Sequence, residues 1–183
     1  MSYDVLLLMQ ELNSIPSSAN LAGLPKNQEK LRTLTIGNFV IKDSLHHLQS
    51  GLGKLCDTLA DSSHNYEILR QSSLCNTIQD VMNDNGDVVG KARIFHEEKF
   101  QLLLKKGHFP FALATSASDL LEIKSFPPIE SFYDYISKTI SVTQEEWNFA
   151  KSVFEKFECE SMLHYCLLYC HTDAILLAEC LFR

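Results

Sequence analysis

The sequence predicts a helix-rich chain of mixed α/β class (α+β in arrangement) with a single β-hairpin, and three observations carry that prediction. The first is the apolar run from Met162 to Phe182, long enough for a helix of several turns. The second is Thr143 with Glu146, a capping box at the head of the stripe Trp147, Ala150, Val153, Phe154 and Phe157. The third is a pair of short β-branched and apolar runs, Leu31 to Ile36 and Phe39 to Ile41, separated by Gly37-Asn38. With 183 residues, 45% of them hydrophobic, the chain can bury a core, and one domain is expected over residues 1–183.

The elements follow in order along the chain. Residues 3–13 read as a helix with Leu6, Leu7, Met9 and Leu12 apolar, closed by a Ser/Pro/Asn-rich segment from Ser14 to Asn27. The hairpin comes next, with Asp43-Ser44 after its second strand. Gly51 to Ala60 is a short amphipathic helix, with Leu52, Leu55 and Leu59 on one side and Lys54 between them. Asp61 to Gly90 is polar, contains the loop Asn83 to Asp87, and reads as a surface excursion over residues 61–90. Its acidic residues lack the ligand pattern of a calcium loop. Helices are then expected at about His96 to Lys105, Ile129 to Ser137, Thr143 to Phe157 and from Ser161 onward. Pro127-Pro128 suits the start of the second of these, because proline is tolerated in a first helical turn.

The net charge of −7 argues against a protein that coats nucleic acid without regard to sequence, since such binding draws on many lysine and arginine contacts to phosphate. A local basic stretch does occur, with Lys91, Arg93, Lys99, Lys105 and Lys106 set against Glu97 and Glu98. Six cysteines without a secretory signal suggest reduced thiols and an intracellular setting, its compartment unspecified. The run Val5 to Met9 is too short for a signal core or a membrane span, so no membrane partner is expected. Cys159, His164, Cys166, Cys170 and His171 lack the paired knuckles of a zinc site, and Cys166, Cys170 and Cys180 read as small apolar core residues. Phosphate-loop and nucleophile-elbow patterns are both absent from the sequence.

The chemistry concentrates at Tyr169 and Asp173. A carboxylate inside so apolar a helix is costly unless a cation or several donors meet it. Residues four apart share a helix face, so the phenol and the carboxylate project into the same cleft. Such a pair can hold and orient a metal-bound water, or the two groups can simply satisfy each other or the backbone.

Several segments resemble, in the same order, parts of the family-B DNA polymerases of viruses, linear plasmids and Polinton-like mobile elements, the protein-primed group. The segment KKGHFPFALATSASDLLEIKSFPPIESFYDYIS, followed by AKSVFEKFECESMLHYCLLYCHTDAILLAECLFR, resembles that family's Phe-Pro-Tyr-like step, its Pro-Pro-x-x-x-Phe-Tyr segment and its third exonuclease motif. The resemblance implies that Tyr169 orients the attacking water and that Asp173 binds metal in a 3′–5′ proofreading site. Tyr3-Asp4 looks like the end of the second exonuclease motif, which makes Asp4 a second metal ligand. FVIKDSLHHL resembles the element that binds the single-stranded primer end, represented by Ser44, Leu45 and Leu48. Lys54 matches a lysine that approaches the scissile phosphate.

By that resemblance the chain is a partial RNase H-like exonuclease domain, from the second to the third exonuclease motif, of a DNA-directed DNA polymerase (a nucleotidyltransferase) active in DNA replication. Mg²⁺ is the implied cofactor and the 3′ end of single-stranded DNA the implied partner, with dNTPs and a terminal protein as partners of the parent. Departures are as specific as the matches. The Asp-x-Glu of the first motif would lie before Met1, the asparagine that normally precedes Tyr-Asp in the second is missing, and the polymerase palm would lie beyond Arg183. Without two of four carboxylates the chain alone is expected to be inactive. The alternative is a catalytically inactive, mobile-element-derived binding or structural protein.

Overall fold

A computed structural model describes residues 20–27, 30–42, 48 and 50–182. The chain forms two compact units, Met1–Gly51 and Leu52–Arg183. The expected helix over residues 3–13, with Tyr3 and Asp4, lies outside the described residues, as do Ser44 and Leu45.

The first unit contains an antiparallel sheet of β1 (Leu21–Asn27), β2 (Lys30–Ile36) and β3 (Phe39–Lys42), in that spatial order. The β2–β3 hairpin turns at Gly37-Asn38 as the sequence predicts, with Ile36 opposite Phe39. Gly37 has φ +58°, a conformation that costs a residue without a Cβ nothing and whose twist suits a two-residue hairpin. β1 corrects the expectation of an irregular segment up to Asn27. Its proline misled, since Pro25 cannot donate to a ladder; on an edge strand that lack is tolerated, and the register shifts on either side of it.

The second unit begins with α1 (Leu52–Ala60), close to the expected bounds, and continues with a short α2 (Glu67–Gln71). A long hairpin follows, β4 (Asn76–Met82) paired with β5 (Val88–Phe95), then α3 (Glu97–Leu102) and α4 (Ala117–Glu122). The region 61–90 is therefore only partly an excursion. Most of the hairpin is solvent-exposed, but Tyr66, Leu69 and Cys75 are buried in the core. α4 had no counterpart in the sequence reading; it starts where Ser116 accepts a hydrogen bond from the Asp119 amide.

The helix expected over Ile129 to Ser137 does not form. A 3₁₀ turn at Ile129–Phe132 leads instead into a two-residue ladder, β6 (Tyr133–Asp134) with β7 (Thr139–Ile140). The Asp134 carboxylate accepts the amides of Ile136 at 2.9 Å and Ser137 at 3.3 Å, an aspartate turn that competes with helix, and Lys138 sits at φ +56°. The described strands thus number seven in three small antiparallel sheets, more than the single hairpin the sequence predicts.

α5 (Gln144–Lys156) has both halves of the expected capping box, and α6 (Met162–Leu181) starts from Ser161, which accepts the His164 amide. α6 is the spine of this unit. Its first half packs Met162, Tyr165 and Leu168 against Phe109, Leu120, Ala150, Val153 and Phe154, while its second half packs Ile175 and Leu176 against Cys56, Leu59, Leu69, Phe100 and Leu103. A helix covered on different sides at its two ends has to be apolar nearly all round, which accounts for the composition of this segment.

Candidate functional site

On α6, Tyr169 and Asp173 lie one turn apart, and the chain leaving α3 runs beside them. Lys106 Nζ donates to Tyr169 Oη at 2.8 Å and lies 3.5 Å from Asp173 Oδ2. The same ammonium is 5.1 Å from the centre of the Tyr169 ring. The carboxylate that the sequence marked as needing a partner therefore has one in Lys106. Asp173 Oδ1 is buried and finds no hydrogen-bond partner among the described residues.

The placement of Lys106 depends on close packing around it. A Cβ at Gly107 would stand 3.3 Å from Tyr169 Cδ2, so only glycine lets the backbone approach the ring at ordinary distances. Next along, Tyr165 Oη donates to the His108 carbonyl at 2.8 Å. Phe109 stacks on Tyr165 with ring centres 6.1 Å apart and also meets Tyr169 at 5.7 Å. Two tyrosines one helical turn apart thereby fix the strip from Lys106 to Phe109.

Burial and charge pull these groups in opposite directions. Burial alone would lower the Lys106 pKa, but the hydrogen bond it donates to Tyr169 and the charge of Asp173 outweigh it and leave the ammonium above its ordinary range. Burial raises the Tyr169 phenol, with Lys106 pulling it the other way, so the phenol stays protonated at neutral pH. Burial likewise pushes the Cys56 thiol up to about 12, which makes it an inert core group.

Two open clefts meet at Lys106. One, of about 600 Å³, is lined by Lys106, Phe111, Tyr133, Tyr135, Ile136 and Tyr169 among others. The other, of about 450 Å³, carries Asp57, Glu145, Glu146 and His108. The first cleft joins aromatic walls to a cation, an arrangement that can stack a flat ring and meet an anion.

No family model matches the chain, and neither a curated protein nor a solved structure does.

Tyr169 and Asp173 are thus brought together around Lys106, and Tyr169 with Lys106 lines the first cleft. Lys54 is exposed on α1, and no hydrogen bond or ion pair joins it to either of them among the described residues. Leu48 is half-buried in the first unit. Asp4, Ser44 and Leu45 fall outside the described residues. Among the described residues no three His, Cys, Asp or Glu side chains gather as metal ligands would. No disulfide joins the six cysteines, and no helix among the described residues is long and apolar enough to cross a membrane. Lys106 is the site residue that sequence reasoning passed over. Its position in a basic run and directly before Gly107-His108-Phe109-Pro110 was visible, but a lysine 63 residues from Tyr169 gives no sign of where it will fold.

Proposed function

We propose that this chain is the proofreading region of a family-B DNA polymerase, part of an RNase H-like exonuclease fold, and that its aromatic cleft takes the 3′ end of a single DNA strand. The reading rests on the ordered motif resemblance, and one observation supports it most directly. Tyr169 and Asp173 share one face of α6 beside a cleft that also offers Lys106 and several aromatic rings. Bases stack on such rings irrespective of sequence, and a lysine offsets the terminal phosphate charge. We place it in an intracellular setting, where six cysteines stay reduced.

Mg²⁺ is the ion the resemblance implies, and it would supply Lewis-acid stabilisation of the attacking and leaving oxygens. The described donor set does not fit it, because no three ligating side chains gather around Asp173 among the described residues and its Oδ2 already faces an ammonium. That pairing favours a second reading, a catalytically inactive relative that keeps the strand-binding cleft.

Fluorescence anisotropy with labelled single-stranded and duplex DNA tests the proposal. Single strands should bind the tighter, and Tyr169→Ala and Lys106→Met should each weaken them about ten-fold, the scale of one lost stacking contact. Equal affinity for both DNAs, or indifference to both substitutions, would sink it. Mg²⁺-dependent trimming that disappears in Asp173→Ala would show residual catalysis and overturn the expectation that the chain alone is inactive; strand binding without trimming supports the second reading.

A further inference from the structure

We infer that Lys106 is the resident cation of this site, so that Asp173 does not take a divalent ion while Lys106 is in place. The inference rests on the preceding reading in one respect, that Asp173 is the carboxylate a metal would meet. Its grounds are otherwise geometric.

An ammonium 3.5 Å from Asp173 Oδ2 and 2.8 Å from Tyr169 Oη lies between the two groups that a metal and its water would engage. Mg²⁺ binds carboxylate oxygen at about 2.0–2.1 Å and demands near-octahedral room around it. A dication that close to Oδ2 would stand within a few ångströms of the ammonium, where like charges in a partly dry site repel strongly. The other oxygen offers no route either, since Oδ1 is buried. An incoming ion therefore has to approach through Oδ2, the oxygen that Lys106 faces.

Lys106 is also not free to drift aside. Gly107 packs its backbone directly against the Tyr169 ring, and the Tyr165 phenol anchors the His108 carbonyl. The ammonium lies 5.1 Å from the centre of the ring whose hydroxyl it donates to, so leaving the site means giving up the hydrogen bond, the ion pair and the ring contact together. The aspartate, the tyrosine and the lysine form a self-neutralising group in which the lysine supplies the charge that a metal supplies elsewhere.

Electron paramagnetic resonance of Mn²⁺ titrated into the full chain, with no DNA present, tests this directly. The unaltered chain and Asp173→Asn should show the same weak background. Lys106→Met and Lys106→Gln should each bind Mn²⁺ several-fold more tightly than that background, the modest gain that relief of one like charge beside a single carboxylate gives, and the double substitution Lys106→Met with Asp173→Asn should lose it. An Asp173-dependent site in the unaltered chain overturns the inference, whether or not the lysine variants fold. So does a folded lysine variant that gains nothing. A failure of the DNA-binding proposal would appear in the anisotropy assay and leave the Mn²⁺ titration unaffected.

Discussion

Glu179 shows what a buried charge requires, and it differs from Asp173 in how fully its oxygens are met. Its side chain is only 3% exposed; Oε1 accepts the Leu69 amide at 2.9 Å, and Oε2 lies 2.7 Å from His64 Nε2. Removing the carboxylate leaves a buried amide and an imidazole without their partner, a loss of about 3 kcal/mol. Lys156 and Glu98 also form an ion pair, but the Glu98 side chain is 76% exposed, where water competes for both charges. We expect Glu179→Ala to lower unfolding free energy by about 3 kcal/mol and Glu98→Ala by less than about 1 kcal/mol, both read from urea midpoints. Equal losses would show that burial is not what distinguishes the pairs. Both acidic residues of α6 were conspicuous in the sequence, because each interrupts an apolar run. Their partners were not, since His64 lies 115 residues from Glu179 and Lys106 lies 67 from Asp173, separations that only the fold closes.

Elements with strong local signals formed where the sequence placed them. α5 carries its cap in four consecutive residues, and the Gly37-Asn38 turn needs only its glycine. β4 and β5 escaped notice for a physical reason: every residue of β5 is exposed, so neither face had to alternate apolar with polar. The helix expected over Ile129 to Ser137 does not form because Pro127-Pro128 opens helices and 3₁₀ turns alike, and the Asp134 turn decides between them. The α5 cap also makes a pH-dependent contribution. The Thr143 amide bonds the Glu146 carboxylate and holds its pKa below the ordinary 4.5, against the opposing pull of partial burial. A depressed folded-state value stabilises above the ordinary pKa, and that stability fades as pH falls through the folded value. With the Glu146 side chain 42% exposed, screening keeps the effect small. Thermal melts of Glu146→Ala should therefore lie below those of the unaltered chain at pH 7, by a deficit worth less than about 1 kcal/mol. At about pH 3 the gap should narrow, because protonation weakens the same bond in the parent. A gap that widens in acid would place the stabilising charge elsewhere.

At the scale of the whole molecule, the described cores belong to one unit. Both apolar clusters draw every member from Leu52 to Cys180, and α6 runs through the two of them. Its first half closes the cluster beneath Phe109 and α5, its second half the cluster beneath α1 and α3, so loss of α6 would open both at once. The site sits at the junction: Tyr169 packs against the first cluster, and Asp173 follows one turn later, just before Ile175 and Leu176 enter the second. Lys106 is held by that arrangement and not by any local preference of its own sequence. The unit Leu52–Arg183 should therefore fold by itself, carrying the Lys106–Tyr169–Asp173 group intact. Expressed alone, residues 52–183 should unfold in one cooperative transition with a melting temperature within about 3 °C of the full chain, a difference worth roughly 1 kcal/mol at this size. Near-ultraviolet circular dichroism should retain the signature of its packed aromatic rings. A broad transition with dye-accessible apolar surface would mean that residues before Leu52 complete a core, and would move the foundation of the site into the other unit.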